Sequence, residues 1–226
     1  MSHISVAIDG PSGAGKSTLA RRAAEELGFR YLDTGAIYRT VGLAAREGGV
    51  DPGDSASVIG LLPGLGLDIV FDENGLQHMV LKGRDVSREI RENDISRYAS
   101  QVSAIPQVRE FLLELQRKFA REHDVVMDGR DIGTVVLPDA EVKVFLTAAA
   151  EDRAQRRYQE LKAQGQPVDY ESILSQVLER DRKDTTRSAA PLRQAEDAIR
   201  LDTTGLSQEE SLARLLKLIR ERLGTS

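Results

Sequence analysis

Residues 10–17 read Gly10-Pro11-Ser12-Gly13-Ala14-Gly15-Lys16-Ser17, with Thr18 next, and match the spacing G-x-x-x-x-G-K-[ST]. Such a run suits the polyphosphate of a nucleoside triphosphate. Successive backbone N–H groups can curl around anionic oxygens only when no side chain on Gly10, Gly13 or Gly15 obstructs them or forbids the dihedrals. Lys16 would then reach the β- and γ-phosphates, and the Ser17 hydroxyl would face Mg2+. The plainer alternative is a glycine-rich turn that happens to carry Lys and Ser. The apolar run Ile4-Ser5-Val6-Ala7-Ile8 before the loop and the helical pattern over 17–27 after it favour the phosphate reading, because the positive end of that helix faces the same anion. Lys16 is expected to lie on a solvent-open loop.

A phosphate loop leaves the reaction open, and the base-recognition run Asn-Lys-x-Asp of G proteins is absent. Four further clusters bear on it. In Asp33-Thr34-Gly35-Ala36-Ile37-Tyr38-Arg39, a hydroxyl, a glycine and an arginine just past a strand suit a second phosphate held by hydroxyl and guanidinium donors; a helix cap at Thr34 with Arg39 in solvent explains the same residues. In Asp128-Gly129-Arg130-Asp131, a strand-end carboxylate can hold Mg2+ or its water while Arg130 and Asp131 point into the crevice above the sheet; a polar turn is the alternative. Arg153, Arg156 and Arg157 share one helix, where 153 and 157 repel unless an anion or the acids Glu151 and Asp152 answer them. Arg180, Asp184 and Arg187 fall at i, i+4 and i+7, one helix face that could read a base or ribose, or else form a surface ion-pair ladder.

The elements that must position these groups alternate. Strands are expected at 4–8, 29–33, 125–128, 142–146 and 198–201, and helices at 17–27, 36–47, 108–122, from about 150, 170–185 and 207–223. Alternating strands and helices imply a parallel sheet covered on both faces. Runs 67–72 and 76–81 about Glu73-Asn74-Gly75 predict an antiparallel hairpin, foreign to a parallel series. Residues 63–103 are therefore expected to be an insertion, with a helix near 92–104, in a single domain over 1–226.

A chain of 226 residues can bury one sizeable α/β core without disulfides or metal. It has no cysteine, which excludes thiolate metal sites and disulfides. His3, His78 and His123 are too scattered for a zinc site and are expected at surface or edge positions. Met1-Ser2-His3-Ile4 shows no cleavable leader, and no run approaches the ~20 apolar residues of a membrane span, so a cytoplasmic protein is expected. Net charge −5 argues against a broad basic surface for nucleic-acid polymers.

Taken together, the loop from Ile8 to Ser17, Asp33–Arg39, Ala99-Ser100-Gln101-Val102, Asp128–Val136, and Arg180-Asp181-Arg182-Lys183-Asp184 with Arg187 and Ala190-Pro191-Leu192 resemble the bacterial cytidylate kinases nearly end to end. The resemblance implies a P-loop NTPase-type α/β fold in which 63–103 is the acceptor-binding subdomain and 149–166 a helical lid. It implies that Thr34, Arg39 and Arg130 hold the acceptor phosphate, with Tyr38 lining the pocket. Ser100, Arg109, Asp131 and Arg187 would read cytosine, Arg180 and Asp184 the sugar hydroxyls, and Arg153 and Arg157 would belong to the lid. Lys16, Arg130, Asp128, Arg153 and Arg157 become the catalytic set, and Ser17 and Asp128 the Mg2+ set. Thr34 stands where serine is also familiar, which keeps the hydroxyl.

The implied reaction is MgATP plus CMP or dCMP giving ADP plus CDP or dCDP, by a monomer acting on small molecules. No strong general base is needed, since the acceptor phosphate is already an anionic nucleophile; positioning and charge neutralisation suffice. Lid and insertion would close together to exclude water. A kinase for another monophosphate or a shikimate-like alcohol, and a nucleotide-sensing module without catalysis, are the competing readings; the hairpin insertion and the second phosphate-type cluster at Thr34–Arg39 weigh against an alcohol acceptor, and the intact Lys16, Asp128 and lid arginines against the sensing module.

Overall fold

The computed structural model describes residues 3–92 and 94–224; the Met1-Ser2 start and Asn93, within the helix expected near 92–104, lie outside the described residues. The chain runs β1 (Ser5–Asp9), α1 (Lys16–Leu27), β2 (Arg30–Asp33), α2 (Thr34–Glu47), α3 (Ser55–Leu61), β3 (Leu67–Phe71), β4 (Gln77–Leu81) and β5 (Arg84–Asp85). It continues through α4 (Ile95–Val102), α5 (Pro106–Glu122), β6 (Val125–Gly129), β7 (Val142–Thr147), α6 (Ala150–Ala163), α7 (Tyr170–Thr186), β8 (Ile199–Asp202) and α8 (Gln208–Leu223). Two compact units result, one built on Arg30–His123 and the other on Ile4–Phe29 with the chain from Asp124 onward.

In the second unit, β1 pairs in parallel with β6 on one side and β7 on the other, and β7 with β8, giving the order β6-β1-β7-β8. Val6, Ala7, Ile8, Val125, Val126 and Met127 are all fully buried, as strands covered on both faces require. Helix α1 packs on β6 and on α8, and α8 on β7. The capping box of Ser207 and Glu210 starts α8, satisfying two orphan N–H groups reciprocally. Helices α6 and α7 pack through Ala154, Leu161 and Ile173, flanked by Tyr158 and Tyr170. The loop after β1, the end of β6 and the start of α6 all follow the carboxyl ends of parallel strands, where open α/β sheets bind ligands.

The first unit carries the antiparallel sheet β3-β4-β5, with Leu67 opposite Leu81 and Phe71 opposite Gln77. The Asp72 carboxylate accepts N–H bonds from Asn74 and Leu76 and so shapes the expected turn. Helices α2 and α4 pack closely, which the missing side chain of Gly42 permits, since a Cβ there would lie 3.0 Å from the Ala99 nitrogen.

The structure departs from the sequence reading in specific places. Helix α3 was not expected; its Asp54 cap, accepting from Ala56 and Ser57 N–H, holds a run too short for clear periodicity. The third strand β5 and the π-turn over Ile132–Val136 were likewise absent from it. Helix α2 begins at Thr34, because Asp33, not Thr34, is its cap and accepts from the Ala36 N–H. Helix α7 ends at Thr186, and Arg187 is extended, so Arg180, Asp184 and Arg187 do not share one helical face.

Candidate active site

The phosphate loop is shaped by backbone constraints that side chains cannot meet. Gly10 has φ 152°, and a Cβ there would lie 1.9 Å from the Leu146 carbonyl oxygen. Lys16 is only 5% exposed, a correction to the solvent-open position expected for it. Its Nζ turns back to donate to the Pro11 carbonyl at 2.7 Å. Burial first, and then the nearby Arg130 guanidinium, push the Lys16 ammonium well below the usual lysine range, against the pull of Asp128 and Asp9. The Ser17 Oγ donates to Asp128 Oδ2 at 2.9 Å, which places the hydroxyl and carboxylate oxygens of α1 and β6 side by side.

Arg130, immediately after β6, donates through Nε to Asp184 Oδ2 at 2.8 Å and through Nη1 to the Gly129 carbonyl at 3.1 Å. Burial raises the Asp184 carboxyl, but Arg130, then Arg180 and Arg187, outweigh it and hold the group below the usual range. Asp131 is buried, with Arg187 Nη2 at 3.6 Å from its Oδ1. Arg187 also donates through Nε to the Ala190 carbonyl. Arg130, Asp131, Arg180, Asp184 and Arg187 therefore form one cluster of alternating sign, not a solvated ladder.

Of the arginines on α6, Arg153 is buried. Its fork donates to both carboxylate oxygens of Asp181, at 3.0 and 2.6 Å, while Nε reaches the Ala148 carbonyl and Nη1 the Ser12 carbonyl in the phosphate loop. The sequence reading set Arg153 and Arg157 against each other, or against Glu151 and Asp152; the partner of Arg153 is Asp181, 28 residues on, and Asp152 accepts instead from the Gly205 N–H. Arg156 donates to the Thr203 carbonyl and lies beside Gly15. Arg157 is exposed and 3.4 Å from Glu160.

In the other unit, Thr34 is buried in the first turn of α2, and Tyr38 and Arg39 follow on the same helix. Arg109, from α5, lies over the Tyr38 ring at 5.3 Å and donates to the Ser103 carbonyl at 3.1 Å; the Ser103 hydroxyl bonds the Ser100 carbonyl. Gln77, from the hairpin, accepts from the Asp33 N–H at 2.7 Å and donates to the Asp33 carbonyl at 3.3 Å. The small sheet thus holds the start of the helix that carries Thr34. Gln77, Asp181 and Asp9 were missed by sequence reasoning; their partners are distant in the chain, and only the placement of Asp9 directly before the glycine loop offered any signal.

The donors at Ser17 and Asp128 are all oxygen, as a hard divalent ion prefers. No group of three or more His, Cys, Asp or Glu able to hold a metal occurs among the described residues. An ion whose other ligands are phosphate and water needs none. Among the described residues no helix is long and apolar enough to cross a membrane.

Comparison with known proteins agrees with this arrangement. A family model described as cytidylate kinase matches residues 6–221. The chain is 52% identical to a cytidylate kinase of Carboxydothermus hydrogenoformans over 214 residues, covering 95% of this chain and 96% of that one. It is 50% identical to a cytidylate kinase of Geobacter sulfurreducens over 217 residues, covering 96% and 93%. A crystal structure of an uncharacterised protein from Eubacterium ventriosum shares the fold, with a TM-score of 0.54 at 14% identity and coverage of 97% and 99%. With its phosphate loop, its Arg130–Asp184 cluster and near full-length identity of about half, the chain belongs to the cytidylate kinase family, ATP-dependent phosphotransferases acting on nucleoside monophosphates.

Proposed function

We propose that the protein transfers the γ-phosphoryl group of MgATP to CMP or dCMP, giving CDP or dCDP, as a cytoplasmic monomer that acts on small nucleotides and not on nucleic-acid polymers. The observation that carries this reading is the cluster Arg130–Asp184 and Asp131–Arg187 in the same unit as the phosphate loop. A charged, buried donor–acceptor array suits a base, sugar and phosphate better than it suits an alcohol, and supports a nucleotide acceptor.

Gly10, Pro11, Ser12, Gly13, Ala14, Gly15, Lys16, Ser17 and Thr18 bind the ATP phosphates. An anionic phosphate near Lys16 Nζ favours its ammonium form and opposes the downward pull of burial and Arg130 on its pKa. Ser17 and Asp128 hold Mg2+, which supplies neutralisation of the triphosphate charge. Thr34, Arg39 and Arg130 take the acceptor phosphate, Ser100, Arg109, Asp131 and Arg187 the cytosine edge, and Arg180 and Asp184 the sugar hydroxyls, with Tyr38 held under Arg109 as pocket wall. Residues 63–103 form the acceptor subdomain and 149–166 the lid that excludes water.

An oxygen of the CMP phosphate attacks the γ-phosphorus; the bond from that phosphorus to the β–γ bridging oxygen breaks, and ADP leaves with the electron pair. Lys16, Arg130 and the lid arginine Arg157 offset charge as the phosphoryl group moves. Arg153, with its fork committed to Asp181, acts in the lid through position. Incubation with ATP labelled at the γ-phosphate and CMP tests the reading: label should appear in CDP. Label released only as inorganic phosphate would overturn it.

A further inference from the structure

Asp9 is 5% exposed at the end of β1 and has no role in the reading above. Its carboxylate spans two consecutive amides: Oδ1 accepts from the Ile132 N–H and Oδ2 from the Gly133 N–H, each at 2.7 Å. The backbone of the same residue lies opposite Gly129 in the β1–β6 pairing. Residue 9 therefore fixes the chain on both sides of Arg130 and Asp131, by strand pairing before them and by a charged side chain after them.

We infer that Asp9 is a positioning residue that clamps the Arg130–Asp131 bridge and so sets acceptor recognition, while acting on ATP binding much less. The inference rests on the assignment of Arg130 and Asp131 to CMP. Two residues between two anchors have little slack. Displacing either end moves the guanidinium now paired to Asp184 at 2.8 Å and the carboxylate facing Arg187. Gly133 serves the same clamp, since a Cβ there would meet Lys143 side-chain carbons at 3.2 and 3.3 Å and Asp9 Oδ2 at 3.5 Å. Burial pushes the Asp9 carboxyl up to about 6, against the two amide bonds, so holding it ionised at neutral pH opposes stability. A costly buried charge beside a binding cluster is expected where geometry is under demand.

Asp9→Asn tests the clamp. One amide oxygen can satisfy one N–H, but the NH2 group then faces the other as donor to donor. Hydrogen exchange at the Ile132 and Gly133 amides should accelerate by about tenfold or more. The KM for CMP should rise by about tenfold or more, with the Kd for a non-hydrolysable ATP analogue, measured by calorimetry, within about threefold of the parent. Gly133→Ala should give the same split with a smaller change, and decides the matter if Asp9→Asn does not fold. Unchanged exchange at both amides, or a Kd for the analogue that rises as much as the KM for CMP, would overturn the clamp. Failure of the parent to phosphorylate CMP would instead overturn the functional reading, and the exchange rates would still decide whether Asp9 holds the bridge.

Discussion

Replacing Arg153 by Met removes a guanidinium but keeps an unbranched apolar stem in its buried site. The fork leaves Asp181 without its bidentate partner and takes a donor from each of the Ala148 and Ser12 carbonyls. Breaking a fully buried ion pair from one side costs about 3–5 kcal/mol. The Asp181 side chain keeps 24% exposure, so water recovers part of that, and about 2–3 kcal/mol is expected from the pair, with about 1 more from the carbonyls. In a chain of this size about 3–4 kcal/mol lowers Tm by about 6–16 °C. Asp181→Asn should cost at least as much, because the charge it strands on Arg153 has only 5% side-chain exposure. The double variant should be less destabilised than the sum of the singles by about 1–3 kcal/mol. Calorimetry and urea unfolding of parent, singles and double measure this. Arg22→Ala serves as control, since Arg22 and Glu209 pair at side-chain exposures of 32% and 74%, where solvent screens the pair and little stability depends on it. An Arg153→Met protein that melts with the Arg22→Ala control, or singles that simply add, would refute the account of α6 and α7 as braced by this pair.

Lys16→Ala should lose about 100- to 1000-fold in kcat, as expected when a donor aimed at developing charge is removed; steady-state assay with saturating CMP, on protein shown to be folded by circular dichroism, checks it. Asp184→Ala, which strands Arg130, should lower kcat/KM for CMP by about 100-fold, and for dCMP as well, while the KM for ATP stays nearly unchanged. His78 lies 2.8 Å from Asp85 and 3.5 Å from Asp72. The Asp85 bond first, opposed by desolvation and joined by Asp72, raises its pKa above the ordinary 6.5. The stabilisation is thus complete below that ordinary value and is lost as pH rises through the raised one, so His78→Gln should lower Tm more at roughly pH 5.5 than at roughly pH 8.5.

The parts of the site that lie in one stretch of chain were legible in the sequence. Gly10–Ser17 and Asp128–Asp131 sit where their strands and turns imply, because local apolar runs and the glycine spacing determine them. The antiparallel hairpin was legible for the same reason, from period-two alternation about Asn74-Gly75. What could not be read depends on partners brought from afar: Asp9 meets Ile132 across 123 residues, Gln77 meets Asp33 across 44, and Arg153 meets Asp181 across 28. The i, i+4, i+7 spacing of Arg180, Asp184 and Arg187 picked out residues that do gather around Arg130 and Asp131, but not through a shared helix face. The helix stops at Thr186, and Arg187 is held by the Ala190 carbonyl and faces Asp131. Lys16 reads as an exposed loop cation because no local pattern reveals that its Nζ folds back onto Pro11.

Recognition of cytosine through Asp131, Arg187 and their neighbours is read out by kcat/KM for CMP, UMP, AMP and GMP with MgATP. Uracil replaces the donor of cytosine with an acceptor at one edge, which leaves a buried polar group unpaired at a loss of about 1–3 kcal/mol. CMP should therefore exceed UMP by roughly 10- to 100-fold and the purine monophosphates by more. Equal efficiency with CMP and UMP, or a preference for AMP or GMP, would contradict it.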